Sequence, residues 1–428
     1  MVCRVGKRRL VTLSQGGGDL LPSYLFGLGT GLYTVGVSSG GSGHTVGDII
    51  TLAGGTASYA ATIRVAAVSA GVITSATIVR PGIYSSAPSS PASQGSTTGS
   101  GTGATFIVAF NPTVASSIDS PTRYIYNNAA LRWNVVTPIT NIGSSGWGGS
   151  AAYIGTYNSV EFVYNGRQLD LLILGYTSSC GVMIDGKLLT DSNLTTAGAG
   201  YYVLTLLWQR ARSRVIRLFG INLAVRCVAV PSASAVTLPA YTRPPLAYIL
   251  GDSYTLGTGA AQGSTWAMEM CRCNGWEPLP VGIGGTGWNS ATANVPATRV
   301  SDDLLKRAQV PAYVISALGF NDAGGNMTTA AAAYNAAIDA IQAALPAVPI
   351  VTLGPWTPVG ETAALATVKS MLSTNAAGQG IDFVDISDII TADNKASYTG
   401  GDNVHPTAPG HLYLGQQIAP RVAAALAA

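Results

Sequence analysis

Residue types that could together carry out acyl transfer occur at four places after residue 250. A serine follows the apolar run in "YILGDSYTLG", glycines stand in "GIGGTG", an asparagine in "GFND", and an aspartate and a histidine in "DNVH". These positions are Ser253, Gly284 and Gly285, Asn321, and Asp402 with His405. They supply a hydroxyl nucleophile, a base to take its proton, a carboxylate to orient that base, and donors for an oxyanion. The residue types therefore match those of an esterase.

Other residues compete for the roles of nucleophile and base. Ser253 could be only a turn residue in a chain rich in Gly and Ser, and "GVSSG" at 36–40 also satisfies G-x-S-x-G. A Gly-rich β run follows that second motif where a nucleophile elbow needs a helix. Of the three histidines, His44 stands in the N-terminal part of the chain. His411 opens the last predicted helix, and a structural role is favoured for it because only one base is required.

Four further aspartates stand close to these motifs. Asp252 and Asp322 are adjacent to candidate catalytic positions, and we expect them to fix loop geometry by accepting backbone N–H groups. Asp385 and Asp388 could in principle orient a histidine. The spacing in "DNVH" favours Asp402 for that role.

After "TRPP" the sequence alternates between β-prone and helix-like stretches. The strand candidates are 246–250, 279–283, 312–318, 349–354 and 381–386. Continuous apolar strands separated by helices predict a parallel sheet that is covered on both faces. Ligands of such sheets bind beyond the carboxyl ends of the strands, where the candidate residues stand.

Residues 244–428 resemble the SGNH hydrolases, also called GDSL-type esterases. "GDSYTLG", "GIGGTG", "GFND" and "DNVH" match the four blocks of that family in the right order. The resemblance implies an α/β three-layer sandwich with a five-stranded parallel sheet. It also implies an acyl-enzyme mechanism that needs neither a metal nor an organic cofactor.

The same resemblance assigns a role to each matched residue. Ser253 would be the nucleophile, His405 the general base and Asp402 the carboxylate that orients it. The backbone N–H groups of Ser253 and Gly285 and the side-chain amide of Asn321 would bind the oxyanion. Gly284 competes with Gly285 for its role, and the choice between them stays open.

The substrate is predicted from aromatic residues beside the motifs and from the N-terminal part of the chain. Tyr254, Trp288 and Trp356 could stack on sugar rings, with Gly284 as a further substrate contact, although aromatic residues near a site are often packed core. Together with the resemblance of residues 30–112 to bacteriophage tail modules, described below, they imply O-deacetylation of an acetylated bacterial surface polysaccharide. The alternatives are a lipase or thioesterase-like hydrolase of broad acyl range, and a receptor-binding protein that uses the hydrolase fold without catalysis.

Charge divides the chain into two parts. Residues 1–243 carry 16 Lys/Arg and 7 Asp/Glu, whereas residues 244–428 carry 7 and 13. The break falls just before the first esterase-like motif, so two differently built parts are predicted to meet there. The overall net charge of +3 is too small to imply nucleic-acid binding.

The cysteines and the apolar runs exclude several classes of protein. Five cysteines are too few and too scattered for a disulfide framework, and Cys271 and Cys273 lack the partners of a zinc site. Cys180 and Cys227 could pair or could be two buried thiols. No apolar run is long enough to insert into a membrane. The apolar segment near the start is too short for a signal peptide, so export by the usual secretory route is not expected.

The part before residue 244 is predicted to be all β. We expect a leader at 1–29, a Gly-rich β module at 30–112, a connector at 113–150 and a jelly-roll-like β-sandwich at 151–240. "NG" at 165–166 and "DG" at 185–186 each stand between apolar runs, which predicts hairpins at both.

The Gly-rich module resembles modules of bacteriophage tail fibres and tail spikes. The resemblance rests on "GSGHTVGDIITLAGGT", "AGVITSATIVRPGIYSSAP" and "GTGATFIVAF". It implies a virion component that acts at the bacterial surface, with a homotrimer and other tail proteins as partners. The 151–240 region resembles the accessory β domain that precedes the catalytic domain in some carbohydrate esterases, in "VEFVYNG" and "MIDG".

Overall fold

A computed structural model describes residues 23–125, 128–134, 157–175, 179–196, 198, 200–221, 223–291, 294–307, 309–358 and 360–427. Its first strands are β1 (Ser23–Leu28), β2 (Gly31–Ser42), β3 (Ile49–Leu52), β4 (Thr56–Tyr59), β5 (Thr62–Ser69), β6 (Val72–Arg80), β7 (Ile83–Ser86), β8 (Ala92–Thr97) and β9 (Thr102–Asn111).

Strands β2 to β9 form the Gly-rich module. An antiparallel sheet runs in the order β2-β9-β8-β3-β5-β6, and β4 pairs with β7 beside it. Burial alternates along β5, where Ile63 and Val65 are fully buried and Arg64 between them is exposed. This period of two is that of a sheet with one face on a core.

The next strands build a second all-β region. They are β10 (Thr122–Ile125), β11 (Arg132–Asn134), β12 (Tyr157–Tyr164), β13 (Gln168–Gly175), β14 (Ser179–Ile184), β15 (Lys187–Leu188), β16 (Leu194–Thr195), β17 (Gly200–Leu207), β18 (Arg214–Ile221), β19 (Ala224–Val230) and β20 (Val236–Thr237). One sheet has the order β1-β17-β13-β19-β10 and the other β11-β12-β18-β14-β15. Side chains of both sheets share one apolar core, so the two pack as a β-sandwich. The all-β prediction is confirmed, and the jelly-roll connectivity stays a prediction.

The sandwich starts earlier in the chain than its predicted bounds. β1, from the segment predicted as a leader, pairs with β17, and β10 and β11, from the predicted connector, each pair into one of the two sheets. Of the two predicted hairpins only one is correct. Asp185 and Gly186 both have positive φ in the turn that joins β14 to β15. The "NG" turn at 165–166 instead carries the chain from one sheet to the other, so that hairpin prediction was wrong.

The C-terminal region alternates strands and helices as predicted. Its strands are β21 (Leu246–Gly251), β22 (Glu277–Gly282), β23 (Tyr313–Ala317), β24 (Ile350–Leu353) and β25 (Asp382–Val384). Its helices are α1 (Ser253–Leu256), α2 (Trp266–Asn274), α3 (Pro296–Asp302), α4 (Met327–Ala344), α5 (Ala363–Gly378), α6 (Lys395–Tyr398) and α7 (Ala408–Ala425). All five strands are parallel, in the order β22-β21-β23-β24-β25.

Helices cover both faces of this sheet. Along β21, Tyr248 and Leu250 point into the core shared with α3, α4 and α5, whereas Ala247 and Ile249 point into the core shared with α2 and α7. The strand is buried along its whole length, which explains its unbroken apolar sequence. The predicted three-layer α/β fold with its five-stranded parallel sheet is confirmed.

Ion pairs and hydrogen bonds join the sandwich to the α/β region. Glu277 at the start of β22 accepts from Arg243 at 2.6 Å and from Arg217 of β18 at 3.1 Å. Arg307 donates to the carbonyl of Tyr157 in β12 at 3.0 Å. Among the described residues, no helix is both long and apolar enough to cross a membrane.

Candidate active site

The carboxyl end of β21 carries the candidate nucleophile into a short helix. Asp252 caps α1, and its carboxylate accepts the backbone N–H of Tyr254 at 2.9 Å. Ser253 is the first residue of that helix, and its Oγ lies 2.9 Å from Nε2 of His405. Nδ1 of His405 lies 2.6 Å from Oδ2 of Asp402. The structure thus brings together the serine, histidine and aspartate that the sequence predicted, in the order that proton transfer requires.

A tight loop before α7 presents the histidine. Oδ1 of Asp402 accepts the backbone N–H groups of Val404 and His405, each at 3.0 Å. Gly400 donates its N–H to the carbonyl of His405 at 2.8 Å, and Asn403 takes a positive φ of 56°. The hydrogen bond to His405, together with those from the two backbone N–H groups, holds the pKa of Asp402 below its usual range. The carboxylate is therefore ionised whenever the imidazole needs orienting.

The loop after the nucleophile is tied to α7 by a second histidine. His411 on α7 is fully buried. Its Nδ1 accepts the N–H of Trp266 at 3.2 Å, so its Nε2 carries the proton and donates to the carbonyl of Thr258 at 3.0 Å. Burial lowers the pKa of His411 to about 4. It is therefore neutral at physiological pH and holds a loop, which is the structural role expected for it.

The candidate oxyanion glycines stand in the loop after β22, the strand that pairs with β21. Gly284 lies beside Ser253, since a Cβ at position 284 would be 3.9 Å from Cβ of Ser253. Gly285 takes a φ of +73°, a backbone conformation that favours glycine. Both glycines are exposed.

Asn321 comes to the same edge from the turn after β23. Its Nδ2 donates to the carbonyl of Thr286 at 2.8 Å and is 3.3 Å from Oδ2 of Asp252. The second distance is longer than an ordinary N–H···O hydrogen bond. One amide hydrogen is therefore firmly engaged, and the other is only weakly held.

The two aspartates beside the motifs fix backbone, as expected. Asp322 is completely buried and accepts the N–H groups of Trp288 and Asn289, each at 2.8 Å. It holds the loop that follows Gly285 against the loop that carries Asn321. Burial raises the pKa of Asp252 to about 7, an effect that the positive charge of Arg299 opposes.

One predicted substrate contact is wrong. Trp288 is 1% exposed and packs edge to face against Tyr334 of α4, with ring centroids 4.9 Å apart. It belongs to the core under the sheet and cannot reach a substrate. Its backbone N–H donates to Asp322 and so helps to hold the loop that contains the glycine motif.

Tyr254 and Trp356 lie under the site as an aromatic floor. Their ring centroids are 4.7 Å apart, and Tyr254 also lies 5.6 Å from the ring of His405 and 5.3 Å from Phe320. Tyr254 and Trp356 are 4% and 6% exposed, which leaves little of either ring for stacking on a sugar. Phe320, which the sequence analysis did not single out, is half-buried and adjacent to Asn321.

Arg299 on α3 was also missed. Its guanidinium donates to the carbonyls of Gly251 and Val281 at 2.8 and 2.6 Å and to Oγ1 of Thr286 at 3.2 Å. Its strongest partners are backbone carbonyls, which carry no sequence signal. Arginine in a helix otherwise reads as solvent-facing, and nothing in its neighbourhood in the sequence marks it as buried.

The alternative carboxylates and bases lie elsewhere. Asp385 pairs with Lys369 at 3.2 Å, and Asp388 pairs with Arg421 at 2.6 Å. His44 is buried in the Gly-rich module, 3.9 Å from Asp48. The competing roles considered for these residues at the catalytic centre therefore do not apply.

The cysteines and the acidic residues form no metal site within the described part of the chain. Cys180 and Cys227 are free buried thiols. The first donates to the carbonyl of Leu194 at 3.4 Å, and the second accepts from Arg123 at 3.5 Å. The open question of their pairing is thereby answered, since they do not pair.

Comparison with known proteins points to one family for this region. Residues 249–412 match the model of the GDSL-like Lipase/Acylhydrolase family. The chain is 27% identical over 185 residues to GDSL lipase Rv0518 of Mycobacterium tuberculosis (strain ATCC 25618 / H37Rv), a match that covers 41% of this chain and 80% of that protein.

Solved structures resemble a larger part of the chain. A family two carbohydrate esterase from Cellvibrio japonicus superposes with a TM-score of 0.58 at 16% identity, covering 72% of this chain and 98% of that one. A family two carbohydrate esterase from Clostridium thermocellum, in complex with cellohexaose, gives 0.56 at 16% identity, covering 69% and 99%. The salicylyl-acyltransferase SsfX3 from a tetracycline biosynthetic pathway gives 0.57 at 13% identity, covering 71% and 97%.

At these identities the likeness concerns the fold. The α/β region is less than half of the chain, so a likeness that covers 69% to 72% of the chain extends into the part before residue 244. The family match, in contrast, falls on the residues that carry the site, from β21 to the start of α7. The C-terminal part of the chain is therefore a serine ester hydrolase domain of the GDSL/SGNH lipase and acylhydrolase family.

Proposed function

We propose that the protein is a carbohydrate O-acetyl esterase in which Ser253 is the nucleophile, His405 the general base and Asp402 the residue that orients it. The observation that carries this proposal is the continuous hydrogen-bonded chain from Ser253 Oγ through His405 to Asp402, with links of 2.9 and 2.6 Å. The first link lies within the range for proton transfer from a nucleophile to its base, and the second is a hydrogen bond that orients the imidazole.

The reaction follows from the geometry in two halves. His405 Nε2 takes the proton of Ser253 as Oγ attacks the ester carbonyl, and the tetrahedral oxyanion is bound by N–H groups. His405 then returns the proton to the leaving sugar oxygen, which frees the alcohol and leaves an acetyl-enzyme. Water deprotonated by His405 attacks that ester, acetate leaves, and Ser253 recovers its proton.

Three donors would bind the oxyanion. They are the backbone N–H groups of Ser253 and Gly285 and the weakly held amide hydrogen of Asn321, with Gly284 as the competing glycine. An amide hydrogen held across 3.3 Å can be drawn to an oxyanion, because hydrogen bonds to a charged oxygen are short and strong.

A carbohydrate substrate is supported by the fold that the chain shares with two carbohydrate esterases over 72% and 69% of its length. Phe320 is half-buried beside Asn321, with its ring 5.3 Å from that of Tyr254, and part of this ring is exposed next to the site. An acetylated bacterial surface polysaccharide remains the proposed substrate. A lipase or thioesterase of broad acyl range and a non-catalytic receptor-binding protein are the alternatives.

The test is acetate release from a panel of acetylated capsular polysaccharides and exopolysaccharides. The parent protein should release acetate, Ser253→Ala should not, and Ser301→Ala, on the exposed side of α3, should match the parent. Faster turnover of long-chain than of acetyl esters would favour the lipase alternative. No release from any ester by the parent protein would favour the binding alternative.

The setting proposed for this enzyme is a phage tail, with a homotrimer and other tail proteins as partners, acting at the bacterial surface. Its support is the resemblance of the Gly-rich module to tail-fibre modules and the independent sheet which that module forms ahead of the sandwich. Light scattering on the purified chain should give three times the 43.6 kDa chain mass. A monomer at micromolar concentration would contradict the trimer.

A further inference from the structure

We propose that Arg299 is a positioning residue of this esterase, which sets the geometry of the oxyanion donors without touching the substrate. This inference rests on the proposed function. Arg299 lies on α3, behind the sheet edge that carries Ser253, and is 5% exposed. It is thus out of reach of a polysaccharide.

One end of its guanidinium joins the two strands that deliver the nucleophile and the glycines. Nη2 donates to the carbonyl of Gly251, two residues before Ser253, at 2.8 Å. It also donates to the carbonyl of Val281, three residues before Gly284, at 2.6 Å. One planar cation therefore bridges the carboxyl ends of β21 and β22, in addition to the backbone pairing of the two strands.

The other end reaches the third donor through one intermediary. Nη1 donates to Oγ1 of Thr286 at 3.2 Å, and that hydroxyl in turn donates to the carbonyl of Ile283 at 2.8 Å. The carbonyl of the same Thr286 accepts Nδ2 of Asn321 at 2.8 Å. Each oxyanion donor is therefore linked closely to one guanidinium. Ser253 stands two residues after a bonded carbonyl, Gly285 is adjacent to the bonded Thr286, and Asn321 is bonded to that same threonine.

The electrostatics of Arg299 also favour a role at the site. Within the described residues it has no ion pair at contact distance, although buried arginines are usually paired with a carboxylate. Burial lowers its pKa, and the nearby carboxyl groups of Asp303 and Asp252 oppose that effect. A buried cation held by carbonyls is costly to keep, and here its carbonyls belong to the two strands of the catalytic edge.

Arg307 provides a matched control on the same side of the sheet. It is 7% exposed, pairs with Asp303 at 2.8 Å and donates to the carbonyl of Tyr157 at 3.0 Å. Its hydrogen bonds join the sandwich to the hydrolase domain and reach none of the strand ends. Replacement of Arg307 should therefore lower the stability of the protein without moving the oxyanion donors.

The test compares Arg299→Met, Arg299→Lys, Thr286→Val and Arg307→Met in the full chain, with 4-nitrophenyl acetate as substrate. Rates are expressed per active site, counted by end-point labelling with a fluorophosphonate. We expect kcat to fall about tenfold to a hundredfold in Arg299→Met with KM within about threefold, because small misplacements of catalytic groups cost this much. Arg299→Lys should recover part of the loss, and Arg307→Met should keep the parent kcat while melting at a lower temperature.

A second readout separates positioning from general damage. Methylboronic acid forms a tetrahedral adduct on serine that resembles the intermediate, so its inhibition constant should rise in proportion to the loss in kcat/KM. Thr286→Val should show a smaller change in the same direction, and it decides the question if the Arg299 variants do not fold. An unchanged kcat per site and an unchanged inhibition constant would overturn the proposal, as would an equal loss in Arg307→Met. A parent protein without any esterase activity would overturn the proposed function and this role with it.

Discussion

Asp402 bonds to His405 twice, through different oxygens. Its Oδ1 accepts the backbone N–H of His405 at 3.0 Å, and its Oδ2 lies 2.6 Å from the ring nitrogen Nδ1. The first bond fixes where the backbone of the histidine stands, and the second fixes its tautomer and ring angle. A spacing of three residues is what lets one carboxylate do both.

This double contact predicts the effect of Asp402→Asn. The asparagine oxygen can keep the backbone bonds, but its NH₂ would face Nδ1 and leave the proton on Nε2, where the base must accept one. We expect kcat to fall by about three to four orders of magnitude with KM little changed. The measurement is steady-state hydrolysis of 4-nitrophenyl acetate. Asp388→Asn, which breaks the pair with Arg421 instead, should retain activity, and a loss below tenfold in Asp402→Asn would contradict the assignment.

The residues at the carboxyl edge of the sheet could be predicted because each strand, and the residue that follows it, is recognised from a short stretch of sequence. Each of the five predicted strands overlaps an observed one, and Ser253, Asn321 and His405 each stand near a strand end or in the loop before the last helix. In a parallel sheet these ends meet at one edge, so a one-dimensional pattern was enough to bring the residues together.

What the sequence could not predict depends on contacts between distant segments. Trp288 stands beside the glycine motif, but its ring is buried because Tyr334, on a helix far along the chain, packs against it. Arg299 acts through backbone carbonyls, which any sequence would supply. β1 joins the sandwich by pairing with β17, more than 170 residues later, and its own sequence gives no sign of that partner.

Asn321→Ala should remove one oxyanion donor. Its Nδ2 is fixed by the carbonyl of Thr286 at 2.8 Å, and the truncation removes the second amide hydrogen that is proposed to bind the oxyanion. The expected loss is about a hundredfold to a thousandfold in kcat, with KM within a few-fold. Asn326→Ala, which removes the cap of α4 a few residues later, is the matched control. It should cost about 1 kcal/mol of stability and no activity. An Asn321→Ala enzyme with a raised KM and a normal kcat would assign Asn321 to ground-state binding instead.

Trp288→Phe tests the correction to the predicted substrate contacts. The smaller ring should leave a void against Tyr334 and lower the free energy of unfolding by about 1 to 3 kcal/mol. KM for an acetylated oligosaccharide should stay within twofold of the parent value, because the side chain is only 1% exposed. Urea denaturation and initial rates measure the two quantities. A rise in KM without loss of stability would show that Trp288 contacts the substrate after all.

His411 should make the stability of this domain depend on pH. Its pKa is lowered to about 4 by burial, against about 6.5 in the unfolded chain. Between these values the unfolded chain binds a proton that the folded chain excludes, so the contribution of His411 to stability falls as the pH falls. Asp252, with a pKa raised to about 7, acts in the opposite sense over the same window.

The contribution of His411 is therefore isolated by comparison with His411→Gln. The variant should be less stable than the parent at pH 7, because the bonds to Trp266 and Thr258 are weakened. That difference should shrink by on the order of 3 kcal/mol as the pH is lowered from 6.5 to 4, because glutamine has no proton to exclude. Urea midpoints at half-unit intervals of pH measure it. A difference that stays constant across the window would mean that His411 is protonated in the folded chain, which its single donor bond to the carbonyl of Thr258 and its acceptor bond from Trp266 do not allow.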